Sequence, residues 1–244
     1  MRYARGRAMA RLVGPRRGLR GPRHPGHALA AGQLDALSLP VGDDGVPLGS
    51  DAEGTERTLS FPHPAPYDVL LIGGLWTAQV LALRVAATGA LVLVETGRPA
   101  AWTSLARAAG TGWERVILHQ VGRVPPAGAA EGRPVLVVRD CGMRPPRGRV
   151  VPAPWQSVLT LLPYPSVVAP RLMRASALVG VQRVSPQEAG TIGGVLGLPR
   201  TESEALPTLA DSVTLWVAGR ERHWVTTGAS EAETRLLGAA RRMD

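Results

Sequence analysis

The sequence predicts an α/β fold: a mostly parallel, Rossmann-like sheet with helices on both faces, finished by a C-terminal β-hairpin and helix. Three observations carry this. Between residues 68 and 118, short apolar runs of strand length alternate with segments of helix length. The strand runs are apolar at every position rather than at every second one, the pattern of strands covered on both faces. Glycines stand where one element gives way to the next, at Gly73, Gly74 and Gly89.

The elements follow in order. Asp68-Val69-Leu70-Leu71-Ile72 is a first strand, stopped by Gly73-Gly74. Residues 75–88 have helix length and are apolar almost all round, with Gly89 placed to end them. Residues 90–94 form a second buried run that closes at Glu95. Residues 99–109 carry Trp102, Leu105, Ala106 and Ala109 at i, i+3, i+4 and i+7, a helix with one buried stripe. Val116-Ile117-Leu118 is the third strand.

The second half alternates less regularly. Residues 122–132 read as a Pro/Gly loop, 134–138 as a strand, and 140–154 as an Arg-rich loop. Residues 157–162 and 177–184 read as further strands. Ser185, Pro186 and Glu188 form a capping box with Pro at the first helical position, and Gly197 can end that helix. Residues 213–218 and 223–227 make a hairpin across 219–222. Ser230 with Glu233 is a second capping box, opening a last helix through Leu236 and Leu237 to Arg242.

Residues 1–60 show no sustained period and read as an Arg/Gly/Pro-rich disordered leader. Residues 61–244 are the α/β domain; the prolines at 62, 64 and 66 stiffen its approach, and the packed part should begin close to Tyr67.

The chain has 244 residues, is 45% hydrophobic and carries a formal net charge of +9. All of its basic residues are arginine. The absence of Lys excludes a Walker-type phosphate lysine, a Schiff base and a kinase lysine. Eight arginines and no acid lie in residues 1–27, so the rest is almost neutral. Such a tail suits an anionic membrane surface or nucleic acid, and the plainer reading is an Arg-rich coding bias with no role. The single cysteine, Cys141, excludes internal disulfides and multi-cysteine metal sites. The longest uncharged run, residues 69–83, has 15 positions, short of the roughly 18–20 that cross a bilayer. No apolar core of a secretion signal stands at the front.

The first strand–turn–helix invites a dinucleotide reading. Gly73 supplies the turn, Ala78 stands in for the third glycine, and Glu95 ends the second strand where a ribose-binding acid would lie. Leu75, however, occupies the central glycine position, where a side chain blocks close approach to a pyrophosphate; the plainer reading is a buried βαβ unit. No G-x-S-x-G elbow or H-E-x-x-H spacing is present. His119 ends a strand, a position as well suited to a structural histidine as to a catalytic one. The loop from Arg139 to Arg149, with Arg139, Arg144, Arg147 and Arg149 around Asp140, is either a solvated loop or a docking surface for anions or proteins. Trp216 and Trp224, in the last hairpin, are candidate docking anchors, with Trp224 the more exposed.

Several strings resemble one family: 83–90 (LRVAATGA), Val94-Glu95-Thr96-Gly97-Arg98-Pro99 with Trp102, 137–146 (VVRDCGMRPP), 154–163 (PWQSVLTLLP) and 181–186 (VQRVSP). Over residues 68–244 the chain resembles the soluble region of the EccE-type subunit of actinobacterial type VII (ESX) secretion systems. The resemblance implies a non-enzymatic component of a membrane-embedded secretion machine, working through docking surfaces on a cytosolic α/β domain. It implies other secretion core subunits as partners, possible contact of the Arg-rich leader with an anionic membrane, and a place on the cytoplasmic face of the membrane. No cofactor, metal, catalytic residue or small-molecule substrate is expected. The alternative is a degenerate dinucleotide- or nucleotide-binding Rossmann-like protein, or a nucleic-acid binder acting through its Arg tail.

Overall fold

A computed structural model of the chain describes residues 45–109, 115–143, 145 and 150–242. Its strands are β1 (Gly45–Ser50), β2 (Glu56–Ser60), β3 (Tyr67–Ile72), β4 (Leu91–Thr96), β5 (Val116–His119), β6 (Val135–Asp140), β7 (Gln156–Leu162), β8 (Leu178–Val181), β9 (Val213–Ala218) and β10 (Glu221–Thr226). They form one sheet in the order β2-β1-β10-β9-β8-β3-β7-β6-β4-β5. The six strands from β8 to β5 run parallel, and the other four extend the sheet antiparallel. The expected fold class is the one observed.

The apolar strands are explained by helices on both faces. Along β3, Val69 and Leu71 join one core cluster, while Leu70 and Ile72 join another on the opposite face. α1 (Leu75–Ala87) lies on the first face with ten of its 13 residues buried, which is why its sequence is apolar nearly all round. α2 (Pro99–Ala108) adds Trp102 and Leu105 to the same cluster. α3 (Ala169–Ala175) and α4 (Pro186–Leu196) cover the second face through Ala169, Met173, Ala189 and Ile192. α5 (Arg200–Ala205) packs against α4, and α6 (Glu231–Leu237) returns to the first face, where Leu237 is buried. Both capping boxes form as expected, with Ser185 bonded to the Glu188 N–H and Ser230 to the Glu233 N–H.

Three expectations are corrected. The stretch read as leader to residue 60 contains β1 and β2, a hairpin that pairs with β10 and buries Val46, Leu48 and Leu59 against α1. Its burial comes from distant partners, so no local period announces it. Residues 1–44, including the arginine-rich tail, lie outside the described residues. The last helix stops at Leu237, because Gly238 takes φ +77, instead of continuing to Arg242. The hairpin turns on Gly219 and Arg220 alone, with Glu221 already paired to Ala218. Among the described residues no helix is long and apolar enough to cross a membrane.

Candidate functional site

In an open α/β sheet, ligands bind beyond the carboxyl ends of strands whose onward connections leave in opposite directions. Here β3 connects through α1 toward β4, while β8, its neighbour, connects toward β9 on the other side. The switch point is therefore the pair of ends at Ile72 and Val181, followed by Gly73-Gly74 and by Gln182.

Gln182 is fully buried in that crevice. Its Oε1 accepts the Gly74 N–H at 2.7 Å, and its Nε2 donates to Thr77 Oγ1 at 2.8 Å. A Cβ on Gly73 would stand 2.5 Å from Gln182 Oε1, so the turn needs glycine for this close approach. Beside it, the backbone of Arg241 and Arg242 lies over Gly74, whose Cβ would meet their carbonyl oxygens at 2.7 and 2.8 Å. The Arg242 side chain, 3% exposed, donates to Pro163 O at 2.6 Å and Arg183 O at 3.0 Å. Its guanidinium also sits over the Tyr164 ring, 5.4 Å from the centroid.

The start of α2 meets the start of α1 at this edge. Neither helix has an acid in its first turn, so the positive ends of both dipoles stand uncompensated by their own helices. Arg98, at the N-cap of α2, lines a small cleft of about 40 Å³ with Gly73, Gly74, Leu75 and Arg242. A shallow groove of about 480 Å³ continues from Arg98 between α1, α2 and α6, past Gln79, Ser104, Leu237 and Arg241.

Beneath Arg98, two acids end their strands side by side. Asp140, 2% exposed, accepts from Arg98 Nε and Nη2, from Trp102 Nε1 at 2.8 Å, and from Thr96 Oγ1 at 3.1 Å. Glu95 faces the other side of the sheet, taking the Gly122 N–H at 2.7 Å and Arg139 Nε at 2.6 Å. This disposes of Glu95 as a ribose-binding acid, since its carboxylate is held by Arg139 and Gly122. Cys141 lies alongside, and burial, with the nearby Glu95 charge, pushes its thiol up to about 12. Among the described residues no group of three acids, histidines or cysteines could hold a metal ion. His119 ends β5 opposite Glu95, four strands from Gly73.

The expected docking residues are scattered. Arg139 is buried in its pair with Glu95, and Trp216 is 2% exposed against Gly180, so neither side chain presents a surface. Trp224 is half-buried against the second-face core. Arg144, Arg147 and Arg149 lie outside the described residues. Sequence reasoning missed Gln182, Arg98 and Arg242. Arg98 had one local signal, its place between a strand end and a helix-opening proline; Gln182 and Arg242 had none.

Neither a family model nor a curated protein matches the sequence. Among solved structures, the chain is similar to VirB4 of Thermoanaerobacter pseudethanolicus, with a TM-score of 0.53, 10% identity, and coverage of 78% of this chain and 98% of that one. It also matches B204, the DNA-packaging ATPase from Sulfolobus turreted icosahedral virus, with a TM-score of 0.47, 9% identity, and coverage of 69% and 100%. The first likeness is one of fold. The expected EccE kinship is corrected: no family model or curated protein supports it, and the likeness in fold is to VirB4. The expected non-enzymatic role, and the expectation that the chain is not an enzyme, are corrected with it.

Proposed function

We propose that the chain binds a nucleoside phosphate at the carboxyl edge of β3, between the first turns of α1 and α2. The observation that carries this is the meeting of two helix starts at one cleft with Arg98, whose guanidinium Asp140 holds in place through Nε and Nη2. Oriented N–H dipoles and a guanidinium are the groups that hold phosphate when no lysine is available. A phosphate loop of the form GxxxxGK[ST] is absent, because only Gly73 and Gly74 separate β3 from α1. Phosphate would therefore rest on Arg98 rather than inside a loop, with the remainder of the nucleotide along the groove past Gln79 and Ser104. The reading replaces the expectation of no small-molecule ligand. Protein partners and membrane association stay in the proposal in outline, to be read by co-purification from separated membrane and cytosolic fractions.

The test is titration with ATP, ADP and adenosine, read by calorimetry and by melting temperature. ATP and ADP should stabilise, by about 2.7 kcal/mol at a hundredfold excess over the dissociation constant, while adenosine should not. R98A should weaken ATP binding at least about tenfold, as loss of a charge-assisted hydrogen bond does. No response to millimolar ATP, in the full chain or in one ending at Leu237, overturns the reading.

A further inference from the structure

The cleft that this reading needs is closed by the protein itself. The groove past Gln79 and Ser104 offers about 480 Å³ to most of a nucleotide, whereas the space left for its phosphates among Gly73, Gly74, Leu75, Arg98 and Arg242 is about 40 Å³. What fills it is the C-terminal segment. After α6, Gly238 takes a positive φ that turns the chain away from the helix, and its carbonyl accepts the Trp76 Nε1–H at 3.1 Å. The chain then passes over the start of α1, with the Arg241 and Arg242 carbonyls against Gly74. Arg242 fastens the end by reaching the Pro163 carbonyl beyond β7 and the Arg183 carbonyl beyond β8, with its guanidinium over Tyr164.

We infer that residues 238–242 form an autoinhibitory strap, latched by Arg242, that must lift from the Gly73-Gly74 turn before a nucleoside phosphate can enter. The inference rests on the nucleotide-binding reading and adds its regulation. Arg242 holds the strap through the two carbonyl hydrogen bonds and the ring contact. Whatever captured the strap elsewhere would raise nucleotide affinity, because apparent affinity scales with the fraction of open molecules.

The experiment measures ATP affinity for the full chain, for the full chain with Arg242→Ala, for the full chain with Tyr164→Ala, and for a chain ending at Leu237. Circular dichroism and melting confirm folding; the two point variants keep the test usable if the shortened chain does not fold. The strap predicts tighter ATP binding in each variant, about tenfold or more where the latch is lost entirely. Faster tryptic cleavage after Arg241 when ATP is added to the full chain is the second expected result. Equal affinity across the set overturns the strap and leaves the site intact. Weaker binding in Arg242→Ala also overturns it, by making Arg242 a ligand of the phosphate. Absence of ATP binding in every form removes the site, and the strap as its regulator with it.

Discussion

The Arg98 guanidinium meets the Asp140 carboxylate side-on, Nε 2.9 Å from one oxygen and Nη2 3.1 Å from the other. Trp102 donates to the first of these oxygens at 2.8 Å. One acid at the end of β6 thus fixes both the N-cap of α2 and the aromatic residue one turn into it.

Replacing Asp140 with Ala leaves a buried indole N–H and a guanidinium without their acceptor. We expect a loss of about 2–3 kcal/mol in urea unfolding, at the low end for a buried pair because the Arg98 side chain is 38% exposed. D140N, which can still accept, should lose less. A D140A midpoint equal to that of the parent would refute this account of α2.

Gly180 is paired in register with Trp216, and a Cβ at residue 180 would stand 2.6–2.9 Å from the indole ring. G180A should cost about 1–3 kcal/mol by overpacking, and W216A about 3–5 kcal/mol by leaving a cavity. In the W216A background the G180A penalty should vanish, since its cause is the ring. Additive losses in that double-mutant cycle would show that the clash is relieved elsewhere.

Cys141 should be inert while the protein is folded. Its thiol is held at about 12 by burial first and by Glu95 second, with Arg139 opposing. At pH 8 the thiolate fraction is then at least about a hundredfold below that of a free cysteine. Disulfide-exchange labelling should be slower by that factor in native buffer and recover in denaturant. The linkage runs in the alkaline direction: stability is whole below the unfolded thiol's range and falls as pH climbs from there toward 12. A C141A variant should lose less stability than the parent across that interval.

Glu233 is the acid-side counterpart. Burial raises its pKa, but the hydrogen bonds from Arg84 and from the Ser230 N–H outweigh burial and hold it below the ordinary glutamate range. Its stabilisation is therefore present above the unfolded glutamate pKa and lost as pH falls through the lower folded one. Melting curves between pH 6 and pH 3 should show a smaller acid-induced drop in E233Q than in the parent. A parallel decline would assign the acid sensitivity to other carboxylates.

The strand–helix alternation from Asp68 to His119, the parallel sheet and both capping boxes were legible in the residues, because each rests on local signals. A continuous apolar run, a glycine at a turn, or a serine three residues before a glutamate is set by neighbours in sequence. The hairpin of β1 and β2 was not legible, since Val46 and Leu48 become core only when α1 and β10 are brought beside them. The same holds for Trp216, which reads as a candidate docking anchor in a hairpin until β8 supplies Gly180 next to it.

Most of the candidate site lies on that second side of the division. Gly73-Gly74 marks a tight turn in the sequence, but Gln182 is 108 residues from Gly74 and Arg242 is 59 residues from the Arg183 carbonyl it binds. The sequence by itself determined the strand–helix alternation from Asp68 to His119 and that no lysine would hold a phosphate, because those follow from composition and short-range pattern. Only the tertiary structure decided what fills the switch point, since that depends on which distant side chains the sheet order carries to one edge.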